Sequence, residues 1–365
     1  MQNNMYQNMT PPPYAAYQPP RPPVKPPLSP KEQQRRTLRS TSNGMGFFIL
    51  AYFLVMQHLA LILSLLFGNM FSGSDEAHRI YWFLLEIIVS CASSLLVVVV
   101  FRKITKRKFS DNFTQCRLKA DMLIPVILVG MGAAMIANQL ASLFDQNISL
   151  FELKNTVSQT SEAQSIPEII LYIVSTAIVP AFAEELAFRG VLMNVMRRFG
   201  DAFAILTSAV LFGAMHGNTT QIVFAFVLGL IFAYVDCKAN SIIPSVIIHF
   251  ANNFFAVTTD VFSSNSGLDD GVATAVHIGI VTMFSVLGIL SYIYLAKRDR
   301  RFFRIADGDK TPYAEKSLLS FKEKNVAAFT SAGFIVSLVV FFGEMLLNLI
   351  PQDVITDFVR GIAGG

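Results

Sequence analysis

Three acidic and basic side chains stand close together in one of the most apolar stretches of the chain. Glu184, Glu185 and Arg189 lie within Ala-Phe-Ala-Glu-Glu-Leu-Ala-Phe-Arg-Gly. At helical pitch Glu185 and Arg189 are one turn apart on one face, with the acid before the base, which is the favoured order for an ion pair. Glu184 points about 100° away from that pair. The spacing predicts a structural brace of Glu185 and Arg189 beside a free carboxylate at Glu184, and one buried network of all three is the alternative.

Two further pairs repeat the one-turn spacing. Phe212 and His216 lie within Phe-Gly-Ala-Met-His-Gly, and His249 and Asn253 lie within His-Phe-Ala-Asn-Asn. A lone buried histidine is more often a satisfied packing residue, but three polar sites in three apolar segments are harder to explain that way. Together they supply a carboxylate to activate water, an imidazole to position it or carry its proton, and donors for an oxyanion. These residue types predict peptide hydrolysis.

The composition indicates that the elements holding these residues lie in a membrane. The chain is 53% hydrophobic and 15% charged, with a mean hydropathy of +0.50. Soluble domains carry about 25% charged residues. Lys and Arg stand in clusters between the apolar stretches instead of along one basic face, so they predict membrane orientation and no nucleic-acid partner.

Each apolar stretch is a candidate transmembrane helix, since a span needs about 20 apolar residues. The sequence therefore predicts an all-α, polytopic transmembrane helix bundle of about nine spans. The fifth to seventh candidates are short and separated by tight polar turns, which indicates central helices around the working site. The nine candidates are Gly46 to Phe67, Tyr81 to Val100, Met122 to Leu143, Ile169 to Met193, Ala202 to Met215, Ile222 to Val235, Ile242 to Val257, Ala273 to Ala296 and Ala327 to Ile350.

The basic residues predict the orientation of the bundle, because cytoplasmic loops are enriched in Lys and Arg. Basic clusters precede the first span and follow the second, fourth, sixth and eighth, whereas the loops after the first and third spans hold only Arg79 and Lys154. This alternation predicts a cytoplasmic N-terminus. We expect an integral, multi-pass protein of a bacterial-type plasma membrane, with lipid around it.

We divide the chain into five regions. Residues 1–44 contain most of the prolines, and this composition predicts a disordered cytoplasmic tail that could recruit a partner. Residues 45–120 hold the first two spans and a basic loop, 121–296 the core with the three motifs, 297–325 a basic cytoplasmic linker, and 326–365 the last span and a short tail. The three cysteines, Cys91, Cys116 and Cys237, share no metal-ligand or disulfide spacing and are expected to pack.

In this order and on separate apolar segments, Glu184-Glu185-x-x-x-Arg189, Phe212-x-x-x-His216 and His249-x-x-x-Asn253 resemble the CaaX-processing and bacteriocin-processing (CPBP, or Abi) family of intramembrane proteases. That family includes the type II prenyl-protein endopeptidase. The resemblance implies an eight-helix protease core. It also implies a membrane-associated or lipidated peptide or protein as substrate, entering laterally or from the cytoplasm.

The resemblance also implies roles for the motif residues. Glu184 and His216 would activate the attacking water, and His249 and Asn253 would hold the oxyanion. Glu185, Arg189 and Phe212 would support them. Glu184, His216 and His249 could instead bind a catalytic Zn²⁺, since three protein ligands and an open position are typical of such sites. No H-E-x-x-H helix is present and Asn253 is a poor zinc ligand, so we favour water activation without a metal.

The depths of these residues raise a difficulty. Counted along ideal helices, Glu184 and His249 lie about 12 Å from the cytoplasmic end, whereas His216 lies nearer the opposite face. A helix break at Pro180 would change the register of the fourth span, and Gly213 and Gly217 would allow close packing of the fifth.

Two other classes of function compete with the protease. A non-catalytic immunity or regulatory scaffold would keep the polar cluster for specificity, and a proton-coupled transporter would use Glu184 as its proton site but should show repeats. The isolated polar residues of the other spans are expected to be structural; they are His58, Glu86, His277 and Glu344.

Overall fold

The computed structural model of the chain describes residues 27–68, 74–105, 118–149, 163–267, 269–304 and 317–349. Over these ranges the chain forms ten helices and no strand, so the predicted all-α bundle is confirmed. The helices are α1 (Pro30–Phe67), α2 (Asp75–Thr105), α3 (Ala120–Ser149), α4 (Ile166–Phe199), α5 (Asp201–Met215), α6 (Thr219–Ala239), α7 (Ile243–Asn265), α8 (Asp270–Arg298), α9 (Phe321–Phe329) and α10 (Ala332–Leu347).

All nine predicted segments fall on these helices. Within the described ranges, six helices are long and apolar enough to cross a membrane (α1, α2, α3, α4, α6 and α8), and the pair α9 and α10, bent by 68°, makes a seventh candidate. Helix α5 is apolar but short. Helix α7 carries His249, Asn252 and Asn253 near its middle, which lowers its hydropathy. The protein is an integral, multi-pass membrane protein.

Helix α1 begins earlier than the sequence predicted. Residues 1–26 lie outside the described ranges, but residues 30–44, which we assigned to the disordered tail, are helical. The Ser29 hydroxyl caps the helix by accepting from the Glu32 amide, and Pro30 fits the first turn because its missing N–H is not needed there. The polar extension contacts a distant segment, where Lys31 pairs with Glu323 at 2.7 Å.

Glycines allow two pairs of helices to pack backbone to backbone. A Cβ atom on Gly46 of α1 would overlap the backbone of Gly333 of α10, and the Ser337 hydroxyl donates to the Gly46 carbonyl at 2.8 Å. Between α3 and α8, a Cβ on Gly132 would lie 2.9 Å from the Cα of Gly288. These contacts are typical of membrane helices, where small residues permit close approach.

The helices run alternately between two ends of the bundle. At one end α1, α3, α5, α7 and α9 begin and α2, α4, α6 and α8 finish, and we call it the basic end. Its segments are tied together by contacts between distant residues. Arg298 pairs with Asp121 at 2.5 Å, and the Lys238 ammonium donates to the Arg304 carbonyl at 2.6 Å.

Candidate active site

Helix α4 carries the first motif and contains two π-helical segments, Ile173–Ile178 and Leu186–Met193. Such wide turns shift the register of all residues beyond them and are frequent at functional sites. Pro180 lies between them, at the start of the α-helical turn Val179–Glu185. The helix is continuous through Pro180, so the break that we considered at this proline is absent. The π segments on either side of the proline change the register of the helix instead.

Pro180 nevertheless contributes to the site. In an α-helix the carbonyl of Thr176 would accept from the amide four residues later, which is the proline and has no N–H. The side-chain amide of Asn253 donates to this carbonyl at 3.0 Å. The proline therefore cannot supply the α-helical donor to this carbonyl, and the carbonyl holds an asparagine of α7 against α4.

Glu185 is the centre of a buried ionic cluster. Its Oε1 accepts from Arg189 at 3.0 Å, so the predicted ion pair is present, and it accepts from Nδ1 of His249 at the same distance. The link to His249 was not predicted. Arg189 is 1% exposed, donates to the Gly229 carbonyl and lies 4.3 Å from the centre of the Phe212 ring. This cluster joins α4, α5, α6 and α7.

Glu184 is arranged differently from its neighbour. It is half-buried, and its Oε2 has no hydrogen-bond partner within the part of the chain that the structure describes. The carboxylate faces two cavities instead of a cation. The predicted division between a braced Glu185 and an uncommitted Glu184 fits this geometry better than one shared network.

His216 lies just beyond the end of α5, where its main chain caps the helix. Its Nδ1 lies 2.8 Å from the carbonyl of Phe212. Because a carbonyl oxygen only accepts, Nδ1 carries the proton and Nε2 keeps its lone pair in the neutral ring. Gly217 follows with a φ of 64°, a left-handed conformation that turns the chain into α6.

The short length of α5 resolves the difficulty of depth. Its 15 residues extend about 22 Å, less than the roughly 30 Å of a hydrocarbon core, so His216 and its turn lie inside the bundle. Irregular backbone at such a depth is tolerated where it lines a polar cavity. The four predicted catalytic residues line one cavity of about 960 Å³, with Phe212 in its wall; they are Glu184, His216, His249 and Asn253.

A second cavity of about 570 Å³ adjoins the first. Glu184 and His216 line both cavities, and the remaining wall of the second comes mainly from apolar side chains of α1 and α2, such as Phe53 and Phe83. Glu86 of α2 also lines it, so this residue is nearer the site than we expected. The first two helices, to which we assigned no chemistry, therefore border the site.

Two asparagines that we did not single out connect Asn253 to α3. The Asn138 amide donates to Oδ1 of Asn252 at 3.3 Å, and the Asn252 amide donates to Oδ1 of Asn253 at 3.2 Å. This chain of amides continues to the Thr176 carbonyl described above and fixes which way the Asn253 amide points. The sequence contained a signal for it, since Asn138 is a polar residue inside an apolar segment.

The last helix also reaches the cavity. Glu344 and Asn348 line it, and the Asn348 amide donates to the Gly217 carbonyl at 2.8 Å. Glu344, which we expected to be structural, is therefore also a residue of the cavity wall. Helix α10 lies outside the motifs, but it supports the turn that carries His216.

The donors do not form a metal centre in this arrangement. Among the described residues, no three His, Cys, Asp or Glu side chains are grouped closely enough to hold an ion. The Nε2 atoms of His216 and His249 are both turned away from their Nδ1 partners, a pattern that suits either a metal or a water.

The remaining predictions for polar residues concern packing. The Cys237 thiol contacts the Met193 sulfur at 3.9 Å, Cys91 is exposed, and Cys116 lies outside the described residues. His58 is hydrogen-bonded to the Leu54 carbonyl within its own helix.

Comparison with known proteins confirms the predicted resemblance. Residues 166–255, which contain all three motifs, match the model of a family described as type II CAAX prenyl endopeptidase Rce1-like. The chain is also 23% identical over 217 residues to the "Putative membrane peptidase YdiL" of Bacillus subtilis (strain 168), an alignment that covers 58% of this chain and 87% of the relative. No solved structure matches the chain. Both similarities support the CPBP or CAAX protease family and, in general terms, an intramembrane protease activity, and they do not favour the non-catalytic scaffold.

Proposed function

We propose that the protein is an intramembrane endopeptidase in which Glu184 and His216 activate a water molecule for attack on a peptide bond. The observation that carries the proposal is the convergence of the two side chains on one cavity from separate helices. Glu184 offers a carboxylate without a cation partner, and His216 offers an Nε2 lone pair, because its Nδ1–H is committed to the Phe212 carbonyl. A water held between them would lose a proton as it attacks the scissile carbonyl.

We assign the developing oxyanion to His249 and Asn253. The Asn253 amide has two N–H groups, and only one is used by the Thr176 carbonyl. His249 lies with Nδ1 3.0 Å from the Glu185 carboxylate, so Nε2 is the ring atom left for the oxyanion, to which it donates when it carries a proton. Donors fixed before the reaction typically contribute about 3–4 kcal/mol each to a transition state of this kind.

The proton then passes to the leaving nitrogen. When the tetrahedral intermediate collapses, the C–N bond breaks, the new carboxyl keeps the water oxygen, and the amine receives the proton first taken by Glu184 or His216. Glu185 and Arg189 do not touch the substrate in this scheme. They hold His249 in place, so both are positioning residues.

The proposed reaction is tested with the purified full chain in detergent, an internally quenched peptide library and, as a second probe, a farnesylated CaaX peptide. We expect cleavage by the wild type and none by Glu184→Gln, which keeps the shape of the side chain but removes its charge. Cleavage retained by correctly folded Glu184→Gln protein would refute the proposal.

We propose a bacterial-type plasma membrane as the location of the protein. We propose a membrane-associated or lipidated peptide as its class of substrate.

A metal mechanism makes a separate claim about the same protein. If Zn²⁺ supplied the nucleophile, activity would vanish with a chelator and return with added Zn²⁺, and the purified protein would contain stoichiometric zinc. We expect activity that is insensitive to chelation, because the Asn253 amide is suited to an oxyanion and is a poor ligand for zinc.

A further inference from the structure

The lining of the larger cavity extends from the catalytic residues towards the end of the bundle opposite the basic end. Three of its residues lie near helix termini at that end, which we call the mouth: Ser142 late in α3, Tyr172 early in α4 and Asp260 late in α7. Gln221 and Asn348 line the cavity deeper, beside the turn between α5 and α6. Long-range contacts join these termini. The Tyr172 hydroxyl donates to Asp260 at 3.3 Å.

Towards the basic end the cavity is closed by packed side chains. Helix α4 runs towards that end, so Glu185 and Arg189 lie beneath Glu184, and both are at most 1% exposed. On α7, the Ser245 hydroxyl and amide both donate to the Asp236 carboxylate, and these two residues are equally buried. A peptide approaching from the basic end would have to displace this ionic and hydrogen-bonded layer.

The distribution of charge identifies the two faces. Of the Lys and Arg in the described ranges, only Arg79 lies at the end where the cavity opens, where it pairs with Glu168 at 2.6 Å. Apart from the buried Arg189, the others cluster at the basic end, from Lys31 in α1 to Lys324 in α9. Since positive loops stay in the cytoplasm, the basic end is cytoplasmic and the mouth is extracytoplasmic.

We propose that the cavity takes its substrate from the extracytoplasmic face, so that the substrates are peptide segments exposed outside the membrane and not prenylated proteins of the cytoplasm. The inference rests on the proposed proteolytic function and deepens it by naming the side from which the substrate comes. The family resemblance implies entry laterally or from the cytoplasm, and the proposal replaces the cytoplasmic route. A substrate bound here would reach Glu184 and His216 between α3, α6, α7 and α10.

The direction of the mouth is tested first by labelling the full chain in intact cells with a membrane-impermeant sulfonated maleimide. The background protein carries serine at its three cysteines (Cys91, Cys116 and Cys237), and single cysteines are introduced as Ser142→Cys at the mouth and Arg300→Cys at the basic end as the matched control. Both positions are exposed. We expect the Ser142→Cys protein to be labelled in intact cells and the Arg300→Cys protein only after permeabilisation. The reverse pattern, or equal labelling of both, would overturn the proposal.

The side of substrate entry is tested next with sealed membrane vesicles and a membrane-impermeant quenched peptide library. We expect right-side-out vesicles to cleave the peptides, and inside-out vesicles to do so only after detergent opens them, with no cleavage by Glu184→Gln in either case. Cleavage by sealed inside-out vesicles would overturn the proposal. If wild-type vesicles opened with detergent show no cleavage, the proposed proteolytic function fails. The labelling pattern then decides by itself which face the cavity opens to.

Discussion

The adjacent residues Glu184 and Glu185 provide the sharpest test of how the site is built. Replacement by glutamine should lower the stability of the protein at Glu185, whereas at Glu184 it should abolish cleavage and leave the stability almost unchanged. Glu185→Gln removes the charge that balances Arg189, which is 1% exposed. Breaking a buried ion pair by removing one partner costs about 3–5 kcal/mol, since it leaves an uncompensated charge. Arg189 keeps the Gly229 carbonyl and the Phe212 ring as partners, so we expect the lower end, about 3 kcal/mol.

Glu184→Gln is the matched control on the same helix. Its carboxylate has no cation partner among the described residues, so its replacement should change the unfolding free energy by less than about 1 kcal/mol while abolishing cleavage. Both variants are compared by titrating the purified protein with SDS in mixed micelles and following helicity by circular dichroism. Adding Arg189→Met to Glu185→Gln should recover most of the loss, because the unpaired charge is gone. Equal stability of the wild type, Glu184→Gln and Glu185→Gln would refute the assignment of Glu185 as the brace.

Three further predictions concern the backbone, the packing and the metal. Pro180→Ala restores an amide that competes with Asn253 for the Thr176 carbonyl, so we expect kcat to fall at least tenfold while the SDS-unfolding midpoint stays or rises; unchanged kcat would contradict the role given to the proline. Gly46→Val should separate α1 from the backbone of Gly333 and lower the same midpoint, whereas an unchanged midpoint would show that this contact is not needed. Chelation by 1,10-phenanthroline should leave cleavage within about twofold of the untreated rate, and loss of activity that Zn²⁺ restores would favour the metal mechanism.

The sequence was sufficient for those features that depend on local spacing. The apolar segments identified the helices, and the four-residue spacing of Glu185 and Arg189 identified their ion pair, because both follow from the pitch of a single helix. The three motifs likewise identified the helices that carry Glu184, His216 and His249. These conclusions need no knowledge of how the helices pack.

Features that depend on packing could not be read from the sequence. Glu185 meets His249 across 64 positions of the chain, and no local pattern encodes that contact. The π segments of α4 were not predicted, because we assumed a regular α-helical pitch along the whole segment. The break considered at Pro180 followed from the same assumption. The early start of α1 was missed because its polar residues pack on α9 instead of on an apolar core.

The most direct measurement of the central claim is the fate of the oxygen atom of water during cleavage. Purified wild-type protein is incubated in H₂¹⁸O with the library peptide that it cleaves fastest. The masses of the products are measured by mass spectrometry and compared with those from Glu184→Gln. We predict that wild-type cleavage places one ¹⁸O in the newly formed carboxyl group and that the variant forms no product. Cleavage by Glu184→Gln at the wild-type rate, with the same ¹⁸O content, would show that the water is activated elsewhere and would contradict the account.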